Sequence, residues 1–385
     1  MRKSKDRILT THVGALPAPE GIWGRKDIPE EQLTQAVSDL VQFQRDAGVD
    51  IVNEGELTKG GNWVSFINSR LTGFSPVESG ELGKLLMSSP DWTEFSDYYQ
   101  AAMNNGTLFE QTAKAPVQTV DNGEVRDMVC DGPIVYTGLE ELETELRVAK
   151  AALGAGNPAD MFITSTAPAS LEPGRVNQYY KSDEDYLFAL ADAMRVEYEA
   201  ITNAGFIVQV DDAWLAALWD RIGIGMGIEA YRKYAALRME ALNYGLRNIP
   251  EHQIRYHMCW GSWHGPHSHD LPLENIVDVL LTVKAQTYLI EGANVRHEHE
   301  YTVWDSVKLP EGKILAPGVV SHATTLIEHP QLVAERICRY ANRLGKENVI
   351  ASTDCGLGLR CHPQIAWAKL KALSEGARLA TEKLW

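Results

Sequence analysis

The sequence predicts an α/β protein built as a (β/α)8 TIM barrel. Eight short runs rich in β-branched residues are predicted as strands, and amphipathic stretches of helical periodicity separate most of them. Strands that alternate with helices form parallel sheets, and eight such strands in one chain match a closed barrel. The predicted strands cover residues 8–13, 50–53, 160–164, 206–210, 254–259, 287–290, 314–319 and 348–352.

The predicted helices are clearest where the apolar spacing is regular, over 30–47, 183–204, 227–244, 330–344 and 364–384. An open, doubly wound sheet is the alternative architecture. It is disfavoured because no Gly-x-Gly-x-x-Gly turn follows the first strand. We therefore expect one barrel domain over residues 1–385.

Residues 60–140 exceed what a minimal barrel needs. We expect them to form an insertion subdomain, with a helical cap and a hairpin over one end of the barrel. An extra strand is predicted near 125–135.

Composition restricts the class of partner. The chain has 385 residues, 44% of them apolar and 23% charged, as is typical of globular proteins. Its formal net charge of −16 disfavours a nucleic-acid partner, because phosphates would be repelled. No apolar run approaches the ~20 residues of a membrane helix, and no signal peptide is recognisable. Five scattered cysteines suit a reducing compartment, so we expect a cytoplasmic protein with small-molecule partners, for which a homo-oligomer is one option.

Polar residues concentrate where the predicted strands end, which in a barrel is the end that carries the chemistry. They are His12, Glu54, Glu56, Asp211, Asp212, His257, Cys259, Glu291, His322, Asp354 and Cys355.

Among these residues, His257 and Cys259 stand two apart on one strand, so their side chains share a face. Imidazole and thiolate are zinc ligands, although a strand can also carry such a pair for packing. Glu291 ends the next strand, and Cys355 ends the last one. Alone, each has an ordinary explanation, as a strand-end charge or a small buried side chain. Together, the four predict a zinc site at the barrel mouth.

These motifs resemble the catalytic C-terminal barrel of cobalamin-independent methionine synthase. That family has a His-x-Cys strand, a Glu that ends the next strand, a Cys followed by Gly-Leu, and a Thr-Thr-x-Ile-Gly start. The matching segments here are His257-Met258-Cys259, Ile290-Glu291, Asp354-Cys355-Gly356-Leu357 and Thr10-Thr11-His12-Val13-Gly14. The resemblance spans almost the whole chain. It is to the short, single-barrel branch that includes epoxyalkane:coenzyme M transferases.

The resemblance implies a bound Zn²⁺ and several substrate contacts. Glu56 and Asp211 match the two acidic residues that hold the amino group of homocysteine. Gly14 matches the start of the family's Gly-Ser pair, although Ala15 replaces the serine. His322 follows the seventh strand near the family's catalytic histidine, one residue out of register, and is a candidate acid. His12 is a second catalytic candidate.

The sequence does not identify the alkyl donor. The segment 165–173 departs from the family pattern and has no aromatic residue that matches the one on which a folate pterin stacks.

Two further expectations concern the barrel mouth. Arg255 shares the face of His257, so it is expected to need a carboxylate such as Glu56 or Asp211. The His264–His269 loop is either solvated or a second metal site.

The leading functional hypothesis is a zinc-dependent thiol S-alkyltransferase, in the simplest case one that methylates a homocysteine-like thiol. An alternative enzyme would open an epoxide ring with a thiol such as coenzyme M. A third possibility, from another class, is a non-catalytic zinc- or thiol-binding protein.

Overall fold

The computed structural model describes residues 1–19, 21–22, 28–59, 66–108, 127–358 and 360–385. The strands of this part of the chain are β1 (Leu9–Thr10), β2 (Val52–Asn53), β3 (Phe74–Val77), β4 (Asp127–Cys130), β5 (Met161–Thr166), β6 (Arg175–Asn177), β7 (Ile207–Asp212), β8 (Ile254–Met258), β9 (Thr287–Ile290), β10 (Ile314–Val320) and β11 (Ile350–Thr353). The helices are α1 (Glu30–Asp46), α2 (Glu81–Leu86), α3 (Pro90–Glu94), α4 (Ser96–Asn105), α5 (Leu139–Leu153), α6 (Asp183–Asn203), α7 (Ile224–Met226), α8 (Ile228–Gly245), α9 (Val277–Leu280), α10 (Pro330–Leu344) and α11 (Pro363–Leu384).

Eight parallel strands form one curled sheet in the order β1-β11-β10-β9-β8-β7-β5-β2, with the long helices around it. The two end strands of this sheet approach each other. The backbone N–H groups of Asp50 and Ile51 both donate to the carbonyl of Thr10 at 3.1 Å. The fold is therefore a TIM-barrel-like α/β fold, and all eight predicted strands are present.

The five predicted long helices are also present, each within two residues of its expected bounds. A sixth long helix, α5, was not predicted. Its buried face carries Glu145 between Leu142 and Leu146, which interrupts the apolar stripe by which helices are recognised. No helix in the described residues is long and apolar enough to span a membrane.

The insertion contains the predicted helical and strand elements. Strand β4 falls within the expected 125–135 stretch and pairs antiparallel with β3. Strand β6, which lies beyond the insertion in sequence, adds to β4 in parallel and was not predicted. Residues 60–65 and 109–126 of the predicted insertion lie outside the described residues.

Helices α3 and α4 of the insertion rest on the loop that follows β8. Trp92 and Tyr99 stack with ring centroids 4.0 Å apart, and Trp263 of that loop packs against the same apolar cluster. Asp91 accepts hydrogen bonds from the Ser268 N–H at 3.2 Å and from His269 Nδ1 at 2.9 Å. The cap therefore contacts the loop that continues from His257 and Cys259.

A buried ionic network joins the insertion to the barrel helices. Lys59 lies 2.8 Å from Glu145 and 3.5 Å from Glu54. Arg70 reaches Glu145 and Glu197, each at 3.1 Å. Because all five side chains are buried, the loss of one cation would leave a carboxylate unpaired, at a cost of about 3–5 kcal/mol.

Candidate metal centre and active site

Three of the predicted metal ligands meet at the barrel mouth. Strand β8 carries His257, Cys259 follows its end, and Cys355 follows β11. One ring nitrogen of His257 and the two sulfur atoms all lie within 4.8 Å of one another. The two Sγ atoms are 3.9 Å apart. The fold thus brings together residues that are about 100 positions apart in sequence.

The spacing of these atoms fits a tetrahedral zinc ion. Two sulfur atoms bound at about 2.3 Å with tetrahedral angles would lie about 3.8 Å apart, close to the observed separation of the Cys259 and Cys355 sulfurs. A sulfur and a carboxylate oxygen on the same ion would lie about 3.6 Å apart. Cys259 Sγ and Glu291 Oε1 are separated by 3.7 Å.

His257 supplies a further sign of fit. Its Nδ1 atom bonds to Asp211 Oδ1 at 3.0 Å. Its Nε2 atom is buried and has no hydrogen-bond partner among the described residues. A buried polar atom without a partner is costly, and a metal ion would satisfy it. The donor set and its geometry therefore suit zinc.

Glu291 lies at the edge of the cluster. Its Oε1 atom, next to the Cys259 sulfur, also accepts the Trp260 N–H at 3.0 Å. The carboxylate also forms a separate group with His322 and Asp354, whose ligand atoms lie within 4.8 Å of one another. Glu291 thus adjoins Cys259 and is peripheral to the group of three ligands.

The thiols are electrostatically unequal. The hydrogen bond from Cys259, together with the nearby His257, lowers the pKa of Cys355 to about 6 despite burial. The same contact raises the pKa of Cys259 well above its usual range. Burial raises the pKa of Glu291 to about 8. The group therefore gives up one proton readily, and further ionisation would need a nearby cation.

Asp211 contacts the predicted metal histidine, a role that the sequence analysis did not assign to it. Its Oδ1 atom accepts from His257 Nδ1 and, at 2.7 Å, from Gln209 Nε2. Asp211 and His257 are paired neighbours in the β7–β8 register. That register was implicit in the predicted strand order, so aligning the two strands could have found the contact.

The three predicted substrate residues also meet in one place. Glu56 is buried and takes a left-handed conformation with φ of 57°. Its carboxylate lies so close to Gly14 that a Cβ atom on Gly14 would overlap Glu56 Oε1. Burial and the charge of Asp211 raise the pKa of Glu56 to about 8. Two carboxylates therefore face one region beside the metal cluster.

The two predicted catalytic histidines differ in their surroundings. His322 is buried beside Glu291 and Asp354, and burial lowers its pKa well below the usual range. In His12, Nε2 lies 2.8 Å from Gln44 Oε1, and Nδ1 accepts the Gly14 N–H at 3.2 Å. Burial lowers the pKa of His12 to about 4. His12 thus holds Gly14 in place, whereas His322 adjoins the cluster.

The expectation that Arg255 bonds directly to a carboxylate is wrong. Its guanidinium donates to Thr11 Oγ1 at 3.0 Å and to the His12 carbonyl at 2.7 Å. It also lies over the Phe162 ring, 3.9 Å from the centroid. Burial lowers the pKa of Arg255 to about 9, and Asp211 offsets this only through its charge. Neutral acceptors thus replace the expected ion pair.

In the 264–269 loop, the histidines have separate partners. His269 lies 2.9 Å from Asp91 and 3.2 Å from Glu94. His267 bonds to Asp270 at 3.1 Å. The loop is thus tied into the cap by acidic partners.

The sequence profile described as "Cobalamin-independent synthase, Catalytic domain" matches residues 97–378. The chain belongs to the cobalamin-independent synthase family. The resemblance predicted from the motifs is therefore confirmed. A methionine synthase from Saccharolobus solfataricus is 23% identical over 392 residues, which cover 98% of this chain and 96% of the relative. One from Sulfurisphaera tokodaii is 24% identical over 390 residues, 98% and 94% of the two chains.

Solved structures of this family share the fold. A B12-independent methionine synthase from a Shewanella species, in complex with selenomethionine, superposes with a TM-score of 0.68. It is 18% identical, and the match covers 98% of this chain and 99% of the other. A putative vitamin-B12-independent methionine synthase from Listeria monocytogenes gives a TM-score of 0.64 at 16% identity, with the same coverage.

In this member of the cobalamin-independent synthase family, two further residues hold Glu291. Asp354 Oδ1 accepts the backbone N–H groups of Gly292 and Ala293, each at 2.8 Å. Asn294 Nδ2 donates to Glu291 Oε2 at 2.6 Å and to Asp354 Oδ2 at 3.2 Å. Asp354 was recognised as a strand-end residue, whereas Asn294 carried no sequence signal.

Proposed function

We propose that this protein is a zinc-dependent thiol S-alkyltransferase that transfers a methyl group to a homocysteine-like thiol. One observation carries the proposal. A ring nitrogen of His257 and the sulfurs of Cys259 and Cys355 lie within 4.8 Å of one another, and Glu291 Oε1 lies 3.7 Å from the Cys259 sulfur, with the carboxylates of Glu56 and Asp211 nearby. His257, Cys259, Cys355 and Glu291 would hold the ion. The relatives named methionine synthase support the same reaction class.

The chemistry that zinc supplies when bound is to lower the pKa of a coordinating thiol, so that a nucleophilic thiolate exists at neutral pH. The protein prepares this site in two ways. Asp211 accepts from His257 Nδ1 and thereby leaves Nε2, which has no hydrogen-bond partner among the described residues, as the atom that would bind the metal. Glu291, the peripheral ligand, is the one that an incoming thiol can replace.

Glu56 and Asp211 select the acceptor. Their carboxylates lie close enough for their repulsion to contribute to the raised pKa of Glu56. A bound ammonium group would relieve that repulsion and let Glu56 ionise. A sulfonate at the same place would add a negative charge beside Asp211 and oppose the ionisation of Glu56. The pair therefore favours an aminothiol over coenzyme M.

The methyl transfer itself is a direct displacement at carbon. The thiolate electron pair forms the new S–C bond while the bond between carbon and donor breaks, and its electron pair stays with the donor. His322 is neutral because burial lowers its pKa. A neutral imidazole beside the cluster can relay the thiol proton to solvent on binding and later relay a proton from solvent to the leaving group.

The test is isothermal titration of the zinc-loaded protein in buffers of different ionisation enthalpy. Homocysteine should bind with proton release from both its thiol and Glu56. The analogue without the amine should release fewer protons, and so should homocysteine added to Glu56→Gln. A subsequent assay of alkyl transfer distinguishes an enzyme from a binding protein.

Three other results would change the assignment. Binding of coenzyme M with proton release, while homocysteine gives no signal, would support the epoxide-opening alternative. Binding of neither thiol by the zinc-loaded protein would refute both enzyme assignments. Thiol binding without transfer to any alkyl donor class would favour a binding protein.

A further inference from the structure

Asn294 is held in one orientation beside the predicted metal ligand Glu291. Its Oδ1 atom accepts the backbone N–H groups of Arg296 at 3.0 Å and His297 at 3.1 Å. Since the oxygen faces two donors, the amide nitrogen must face the carboxylates of Glu291 and Asp354. Its two N–H bonds serve those two carboxylates, one each.

The two oxygens of Glu291 therefore have different surroundings. Oε1 lies 3.7 Å from Cys259 Sγ, the separation expected of two ligands on one tetrahedral zinc ion. Oε2 accepts from Asn294 Nδ2 at 2.6 Å. A carboxylate can bind a metal through one oxygen or both. Binding through both would require Oε2 to give up its bond to Asn294.

We infer that Asn294 is a positioning residue that restricts Glu291 to single-oxygen coordination and so keeps this ligand easy for a thiol to displace. The inference rests on the proposed function, because it takes Glu291 as a zinc ligand. Asp354 supports the arrangement by holding the turn at Gly292 and Ala293 and by accepting the second N–H of Asn294. The residue acts through Glu291 and needs no contact with substrate.

The test uses cobalt(II) in place of zinc, because its visible spectrum reports coordination number. Four-coordinate cobalt absorbs strongly, and five-coordinate cobalt absorbs weakly. The wild type should show the four-coordinate spectrum. Asn294→Ala and Asn294→Asp both remove the donor to Glu291 Oε2, so both should show the five-coordinate spectrum. Asn294→Asp keeps an oxygen that can accept the backbone N–H groups of Arg296 and His297. A changed spectrum in this variant therefore cannot be explained by loss of those two backbone hydrogen bonds.

The matched control is Asn248→Asp. Asn248 Nδ2 also donates to a carboxylate, Glu199 Oε1 at 2.9 Å, but on the exposed surface. This variant should keep the wild-type cobalt spectrum. Thiol titration provides a second measurement, in which the two Asn294 variants should bind homocysteine about 10–100-fold more weakly.

Folded Asn294 variants that keep the four-coordinate spectrum and wild-type thiol affinity would overturn the inference. Folded Asn294 variants that lose the metal altogether would also overturn it, since Asn294 would then serve metal retention. If the wild type binds cobalt and no thiol, the proposed function fails, while the spectra still decide how Glu291 binds. If the wild type binds no metal, both fail.

Discussion

The contact between Asp211 and His257 gives the most direct test of the metal centre. The carboxylate accepts from His257 Nδ1 at 3.0 Å and also from Gln209 Nε2 at 2.7 Å. In Asp211→Asn, an amide replaces an oxygen that serves two donors. If the amide nitrogen faces His257 and Gln209, two hydrogen-bond donors face each other and no bond forms. If the amide oxygen faces them, the bond to His257 loses its negative acceptor and His257 Nε2 binds a metal ion more weakly.

The magnitude follows from the type of contact. Loss of a partner that orients a metal-binding histidine typically costs 10–100-fold in metal affinity, or about 1.4–2.7 kcal/mol. We therefore expect Asp211→Asn to raise the zinc dissociation constant by about 10–100-fold. Removing the charge of Asp211 should also bring the pKa of Glu56 closer to its usual range, because that charge helps to raise it.

The assay is competition for zinc with a chromogenic chelator at constant pH. Asp212→Asn is the matched control, since Asp212 is the next residue on β7 and its buried carboxylate is also hydrogen-bonded. Its carboxylate bonds to Tyr256 Oη at 3.0 Å and to Ser170 Oγ at 2.9 Å. This variant should lower the melting temperature and leave zinc affinity unchanged. An Asp211→Asn protein that binds zinc as tightly as wild type would refute the reasoning.

Three further predictions follow from the same region. Cys259→Ser and Cys355→Ser should each lose zinc during dialysis against a chelator, measured as metal per chain; retention of zinc by both would contradict the ligand assignment. Gly14→Ala should weaken homocysteine binding in a titration yet retain zinc, because its methyl group would overlap Glu56 and strain a backbone with φ of 148°. Unchanged thiol affinity would place the substrate elsewhere. Although burial opposes it, hydrogen bonding raises the pKa of His297 from 6.5 to about 10. Its charged form therefore stabilises the fold fully below pH 6.5 and loses this effect as pH rises towards 10. The stability difference between wild type and His297→Gln, measured by denaturant unfolding, should shrink over that interval, and a constant difference would count against a charged histidine.

Much of the barrel could be predicted because strands and helices have local periodic patterns. The strand β8 shows this directly, since residues two apart must share a face, and this placed His257 and Cys259 together. The helix α5 shows the limit. Its buried Glu145 is compatible with the fold only because Lys59, just before the insertion, and Arg70, within it, both approach this carboxylate. No pattern local to α5 carries that information.

The sequence by itself determined the α/β barrel class through periodicity and strand order. Its strand-end motifs identified the family by resemblance and predicted the four zinc ligands. Only the tertiary structure decided which atoms meet. In the folded chain, Asp211 accepts a hydrogen bond from His257, and Arg255 bonds to neutral acceptors. Asn294 donates to both Glu291 and Asp354. Such contacts depend on side-chain orientation and on loops from distant parts of the chain. They arise when the barrel packs, and residue spacing alone does not specify them.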